Sequence, residues 1–182
     1  MRVIAGKAKG RKLKTPTGKL VRPTSDKVKG AVFNVLAPSV PTSTFLDLFA
    51  GSGAIGIEAW SRGAERVVFV EKNPQVYRLL QENLQLVGFT DAVCLRADWR
   101  QAIQRLSGER FSIIYADPPF TVSWYADIMA LVAEAGILQP DGILCLEHPS
   151  RLQLDLGSYW HLVQNKQYGD TALTFLTASK RS

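Results

Sequence analysis

From residue 44 onward, short apolar runs alternate with stretches whose apolar residues recur every three to four positions, the pattern of a parallel sheet covered by helices on both faces. The spacing predicts strands over 44–49, 66–71, 92–97, 111–116 and 142–147. Several of the intervening helices mark their own ends. Asn73 caps one that Pro74 opens, Val76, Leu79, Leu80, Leu84 and Val87 share its face, and Gly88 closes it. Residues 53–62 form the helix before it. Asp98 and Gln101 resemble a capping box for a short helix reaching Leu106, and Trp124, Ile128, Leu131, Val132 and Ala135 make another helical face before Gly136. After Pro149 the alternation stops. Runs over 159–167 and 173–177, separated by Tyr168-Gly169-Asp170, predict a closing antiparallel hairpin. The fold class is therefore α/β, with a mostly parallel sheet and a C-terminal antiparallel hairpin.

The first 36 residues follow another pattern. Arg2-Val3-Ile4-Ala5-Gly6 and Gly10-Arg11-Lys12-Leu13-Lys14 are strand-like pieces around a glycine-containing loop, predicting a small ordered hairpin. Arg22-Pro23-Thr24 is an extended approach, since proline steers its predecessor away from helix. Thr24 or Ser25 then caps an amphipathic helix with Val28, Val32, Val35 and Leu36 on one face, ended by Pro38. This divides the chain into a basic extension, 1–36, and a main domain, 37–182.

Charge sharpens the division. Residues 1–30 hold ten lysines and arginines against one acid, Asp26, while the remainder holds twelve bases and fifteen acids. Such a patch can displace counterions from several phosphates, so Lys7, Lys9, Arg11, Lys12, Lys14, Arg22 and Lys27 are candidate contacts for a nucleic acid. A solvated lysine tail is the commoner fate of charge runs, but the hairpin pattern favours an ordered patch. With 46% apolar residues among 182 and a mean hydropathy near zero, the chain can fill a full core. It has neither a membrane-length apolar run nor an apolar leader, which predicts a cytoplasmic protein. Cys94 and Cys145 fall inside predicted strands, as expected of reduced core thiols and not of a bridge or a metal site.

Two stretches carry chemistry. Asp47-Leu48-Phe49-Ala50-Gly51-Ser52-Gly53 and Asp117-Pro118-Pro119-Phe120, seventy residues apart, each close a predicted strand, and ligands of open α/β sheets bind at that edge. Gly51-Ser52-Gly53-Ala54-Ile55-Gly56 fits the glycine pattern that brings bare backbone to a ligand at a helix N-terminus. Glu71, twenty residues after Gly51, can accept both hydroxyls of a ribose, so the pair indicates an adenosine-containing cofactor. A packing turn with a solvated glutamate is the plain alternative. A dinucleotide would leave Asp47 and Asp117-Pro118-Pro119-Phe120 without a role, whereas the sulfonium and ammonium of S-adenosylmethionine suit a carboxylate such as Asp47. An exocyclic amine is a poor nucleophile because its lone pair is delocalised into the ring. The Asp117 carboxylate and the Pro118 carbonyl can hold both amine hydrogens and direct that lone pair at a methyl group, with Pro119 stiffening the backbone and Phe120 offering a stacking ring. Taken alone, Asp117 could be a helix cap and Phe120 a core aromatic. Asp98 can hold an adenine amine as well as cap its helix. His148 and His161 are read as structural, since methyl transfer to an amine needs positioning more than a general base.

Together with Val70-Glu71-Lys72-Asn73, Arg22-Pro23-Thr24 and Phe33-Asn34-Val35-Leu36, these stretches resemble the RsmD-type 16S ribosomal RNA guanine-N2 methyltransferases over nearly the whole chain. The resemblance implies a Rossmann-like class I methyltransferase domain with a seven-stranded sheet. It implies S-adenosylmethionine held by Asp47, Phe49, Gly51, Ser52, Gly53, Gly56, Glu71, Lys72, Asp98 and Asp117, with the Thr24 region closing over its methionine end. It further implies a guanine held by Asp117 and Pro118 on Phe120, in the RNA of an assembled or partly assembled small subunit; the residues themselves suggest no metal and no obligate protein partner. Lys27-Val28-Lys29-Gly30 departs from the family's arginine-rich pattern, and lysine lacks the bidentate phosphate grip of arginine. Three other readings stay open on the residues: a DNA adenine or other amino methyltransferase, a nicotinamide-dependent oxidoreductase, and a non-catalytic RNA-binding assembly factor.

Overall fold

The computed structural model describes residues 1–18 and 24–180. Its seven strands, β1 (Thr44–Asp47), β2 (Arg66–Val70), β3 (Val93–Leu95), β4 (Phe111–Ala116), β5 (Leu138–Pro149), β6 (Trp160–Tyr168) and β7 (Thr171–Ala178), form one sheet in the order β3-β2-β1-β4-β5-β7-β6. The first five are mutually parallel, and β7 runs antiparallel between β5 and β6. The helices are α1 (Asp26–Leu36), α2 (Ala54–Ser61), α3 (Pro74–Val87), α4 (Trp99–Arg105) and α5 (Tyr125–Ala135). None is long and apolar enough to cross a membrane. One apolar layer gathers Phe33, Phe45, Phe69, Leu80 and Phe175 on one face of the sheet, and another gathers Trp99, Ile103, Ile128, Val132 and Leu144 on the other.

The chain leaves β1 outward through β2 and β3, then returns to β4 on the other side of β1. Phe45, Leu46 and Asp47 pair with Ile113, Ile114 and Tyr115, so the carboxyl ends of β1 and β4 lie side by side at this reversal. The expected strand over 44–49 ends as a ladder at Asp47, because the chain turns between its two neighbours: the Leu48 N–H donates to the Tyr115 carbonyl (2.9 Å) and the Ala50 N–H to the Val70 carbonyl (2.8 Å). The helix opened by Pro74 has the expected ends. The Asn73 side chain accepts from the N–H groups of Gln75 and Val76, and Gly88 is left-handed. The strand expected from 142 begins at Leu138, since Asp141 and Gly142 shape a bulge where the register with β4 shifts. The capping box at Asp98 is only half formed: its carboxylate accepts from the Arg100 N–H, two residues on.

The N-terminal hairpin is looser than expected and more firmly docked. Its ladder is a single bridge between Arg2 and Lys12, yet Val3, Ala8 and Leu13 are buried in the same apolar layer as α1 and α2. Glu58 on α2 anchors it. Its carboxylate accepts from the N–H groups of Ile4 (2.9 Å) and Ala5 (3.0 Å) and from Arg62 Nε (2.9 Å), and it lies 3.4 Å from the Lys29 ammonium. Lys29 is fully buried and also donates to the Arg2 carbonyl (2.5 Å), so it serves the docking and not a nucleic acid. Burial pushes its pKa down, against the pull of Glu58. Removing one partner of a buried pair strands the other charge, so Glu58→Ala is expected to cost about 3–5 kcal/mol of stability. Urea unfolding measures it, and a loss below about 1 kcal/mol would contradict this account of the docking.

Candidate active site

At the reversal between β1 and β4 the sheet opens into a cavity of about 690 Å3. Its floor is the turn after β1 (Leu48, Phe49, Gly51), one side is the end of β2 (Val70 to Pro74) with Ala97, Asp98 and Trp99, and the other is Asp117 to Thr121 with Trp124 and Glu147. Thr24, just before α1, lies across it. The two acid-tipped stretches of the sequence thus share one wall-to-wall space.

Glu71 brackets the turn. One carboxylate oxygen accepts from the Gly51 N–H (3.0 Å) and the other from the Asn73 N–H (2.8 Å), which fixes the side chain and leaves lone pairs on both oxygens. Asp98 lies across from it, capping α4, with its Oδ2 3.7 Å from the Lys72 ammonium. Phe49, Trp99 and Trp124 form an aromatic wall, with ring centroids 6.0–6.3 Å apart, and the Arg100 guanidinium lies 4.3 Å above the Trp99 ring. The Trp99 indole N–H and the Tyr125 hydroxyl are buried without a hydrogen-bond partner among the described residues. In the opposite wall, Asp117 is half-buried, Pro118 buried and Phe120 half-buried. Asp117 is not a helix cap, because α5 begins eight residues later behind Trp124.

Residues 1–177 match the family model described as conserved hypothetical protein 95. The chain belongs to this family, that of the RsmD-type methyltransferases. It is 33% identical over 172 residues to the ribosomal RNA small subunit methyltransferase D of Haemophilus influenzae, covering 93% of this chain and 89% of that protein. It is 38% identical over 157 residues to a putative rRNA methyltransferase, YlbH, of Bacillus subtilis, covering 85% of each. Among solved structures, a putative methyltransferase of Escherichia coli, yhhF, superposes with a TM-score of 0.89 at 30% identity, covering 100% of this chain and 99% of the other. The protein is accordingly a Rossmann-like methyltransferase that depends on S-adenosylmethionine.

Most of the residues singled out for cofactor or base line this family member's cavity: Thr24, Phe49, Gly51, Glu71, Lys72, Asp98, Asp117, Pro118, Pro119 and Phe120. Four others do not. Asp47 lies beneath the turn, buried, its Oδ2 accepting from the Gly56 N–H (3.1 Å) while Oδ1 has no partner among the described residues. Ser52 is buried, and its carbonyl accepts from the Asn83 amide (2.9 Å). Gly53 is left-handed, and a Cβ there would meet the Leu80 side chain at 2.4 Å; one on Gly56 would meet the Phe69 ring at 2.3 Å. These two glycines let α2 sit tight on β2 and α3. His148 is held between the Pro149 carbonyl (2.9 Å) and the Thr174 hydroxyl (2.8 Å), as a structural histidine is, and Cys94 and Cys145 are unbridged.

Lys7, Lys9, Arg11, Lys12, Lys14 and Lys27 are all exposed, and Arg22 lies outside the described residues. Lys7 lies 4.0 Å over the Trp60 ring, Lys14 pairs with Glu82 (2.8 Å) and Lys27 approaches the Tyr168 ring (5.8 Å). The sequence reasoning missed Trp99, Trp124 as a cavity residue, and Glu147. The aromatic wall joins the turn after β1 to the starts of α4 and α5, and the signal in the chain was a tryptophan at each of those two helix starts.

Burial pushes the Asp47 carboxyl up to about 7 from its ordinary 3.8, with the Glu71 charge adding to the rise and the N–H groups of Gly56 and Phe49 opposing it. Between those values the folded state holds a proton that the unfolded chain lacks, so this group makes stability fall as pH rises from about 4 to about 7. Asp47→Asn keeps an acceptor for Gly56 and removes the titration. Urea midpoints of the ligand-free protein, compared across that range, are expected to fall less with pH in the variant than in the wild type. Identical pH profiles would contradict the shift.

Proposed function

We propose that this protein transfers a methyl group from S-adenosylmethionine to the exocyclic N2 amine of a guanine in small-subunit ribosomal RNA, within an assembled or partly assembled subunit. The observation that carries the reading is that Asp117-Pro118-Pro119-Phe120 and the Glu71-bracketed turn line one cavity. Relatives named ribosomal RNA small subunit methyltransferase D support the choice of substrate.

The donor set fits the cofactor. Glu71 keeps lone pairs for two ribose hydroxyls, the aromatic wall suits an adenine, and the buried Trp99 N–H, without a partner among the described residues, suits a ligand acceptor. When bound, S-adenosylmethionine supplies an electrophilic methyl group on a cationic sulfur. Asp117 and the Pro118 carbonyl accept the two amine hydrogens, which aligns the nitrogen lone pair with the methyl group. Transfer of the methyl group from sulfur to nitrogen would leave the amine with a surplus proton, which Asp117 would take up along its hydrogen bond. Pro118 and Pro119 keep the acceptors in place, while Phe120 stacks the base and helps exclude water. Asp47 acts from below the turn, holding Gly56 and hence the start of α2.

Asp117→Ala is expected to lower methyl transfer by at least about 100-fold while leaving S-adenosylhomocysteine binding, read by calorimetry, within a few-fold of wild type. Full transfer activity in that variant would contradict the assignment. Mass spectrometry of ribosomal RNA from cells lacking the protein is expected to show one N2-methylguanosine missing, and an unchanged methylation map would overturn the proposed substrate.

The exposed cations of the arm supply the grip on RNA. Replacing Lys9, Arg11 and Lys12 together with alanine is expected to flatten the fall of log K with log salt by about 0.7–0.9 for each phosphate the arm no longer neutralises. An unchanged slope would make the arm a bystander.

A further inference from the structure

One carboxylate in the cavity has no part in the chemistry above. Glu147 lies near the end of β5, only 5% exposed, yet it lines the same space as Asp117, Pro118 and Phe120. Ala116 pairs with Leu146 in the parallel ladder between β4 and β5, so Asp117, the first residue past β4, follows level with Glu147 on β5. Both charges act together on their surroundings: each raises the pKa of the buried Tyr115 and Tyr125 hydroxyls and of the Cys145 thiol, on top of the effect of burial. Burying a carboxylate is costly, and two at one sheet edge are costlier still. The Tyr115 hydroxyl donates to Glu147 Oε2, which fixes the direction of the group. A carboxylate has about four lone-pair sites, more than one hydroxyl can fill.

The edges of the bases make that capacity selective. An ionised carboxylate only accepts hydrogen bonds. Guanine presents two adjacent kinds of donor, the N1–H and the N2 amine, whereas the amines of adenine and cytosine stand next to a ring nitrogen that is itself an acceptor. Two neighbouring carboxylates therefore welcome guanine and set a lone pair against a lone pair for the other two.

We infer that Glu147 is the guanine-selecting residue of this site, accepting the N1–H while Asp117 and Pro118 hold the N2 amine. This deepens the proposed function and rests on it. The alternative role for Glu147 is to anchor the Tyr115 hydroxyl with no contact to the base.

The test uses the full-length protein on small subunits reconstituted with ribosomal RNA that carries either guanosine or 2-aminopurine riboside at the modified position. The 2-aminopurine base keeps the N2 amine but has a bare acceptor at N1. Wild type is expected to prefer guanosine by at least about tenfold in kcat/KM. In Glu147→Gln the side-chain oxygen can still accept from Tyr115 while its NH2 donates to a bare N1, so the preference is expected to shrink to about threefold or less. S-adenosylhomocysteine binding by calorimetry reports whether the variant is folded. A purely structural Glu147 would lower both rates alike and leave their ratio unchanged, which overturns the inference. Equal use of the two bases by wild type also overturns it, whether or not the variant folds. Failure of wild type to label guanosine at all would remove the functional reading itself and the inference with it.

Discussion

The parallel pairing of β1 with β4 is the constraint from which the site follows. Three residue pairs, ending at Asp47 with Tyr115, set the ends of the two strands at one level. Because the chain reverses direction across the sheet there, the loops beyond the two ends diverge and leave a space that no helix fills. A slip of one residue would turn every side chain of β4 to the other face and carry Asp117 out of the cavity. The buried apolar residues on both faces of β4, Ile113 and Tyr115 on one and Ile114 and Ala116 on the other, oppose that slip. Core packing and placement of the reactive group are thus the same requirement.

Buried charge is the second theme, and it does different work at the two ends of the molecule. Around Glu58 it is fully paired: two backbone N–H groups, Arg62 and the Lys29 ammonium converge on one carboxylate and clamp the basic arm to α2. Around the cavity it is held in readiness. Asp47 keeps one buried oxygen without a partner among the described residues, and Glu147 leans on the Tyr115 hydroxyl near Asp117. Asp47 meets its burial by taking up a proton more readily, whereas Glu147 lies in the cavity wall where a hydrogen-bond-donating base can reach it.

What could be read from the sequence was what is local. Asn73, Pro74 and Gly88 announce α3 because a cap, a fixed φ and a left-handed residue each act within one turn of their own position. The run 111–116 declares a buried strand by itself, and the spacing from Gly51 to Glu71 survives in the bond between them. What could not be read depends on approach through space. Lys29 counts as one more basic residue of the arm until α2 brings Glu58 to it, and Asp47 looks like a ligand-facing acid until the turn folds over it. Gly53 and Gly56, which suggested open backbone for a ligand, are needed because Leu80 and Phe69 press on them. Glu147 sits in a strand that reads as plain core, and only the register with β4 shows its neighbour to be Asp117.

The central claim is that the two acid-tipped strands hold donor and acceptor against each other in this one cavity. A crystal structure of the protein with S-adenosylhomocysteine tests it most directly. The expected result has both ribose hydroxyls on Glu71, the adenine against the wall of Phe49, Trp99 and Trp124, and the sulfur turned toward Asp117 and Pro118. A ribose out of reach of Glu71, or a sulfur facing away from Asp117, would contradict it.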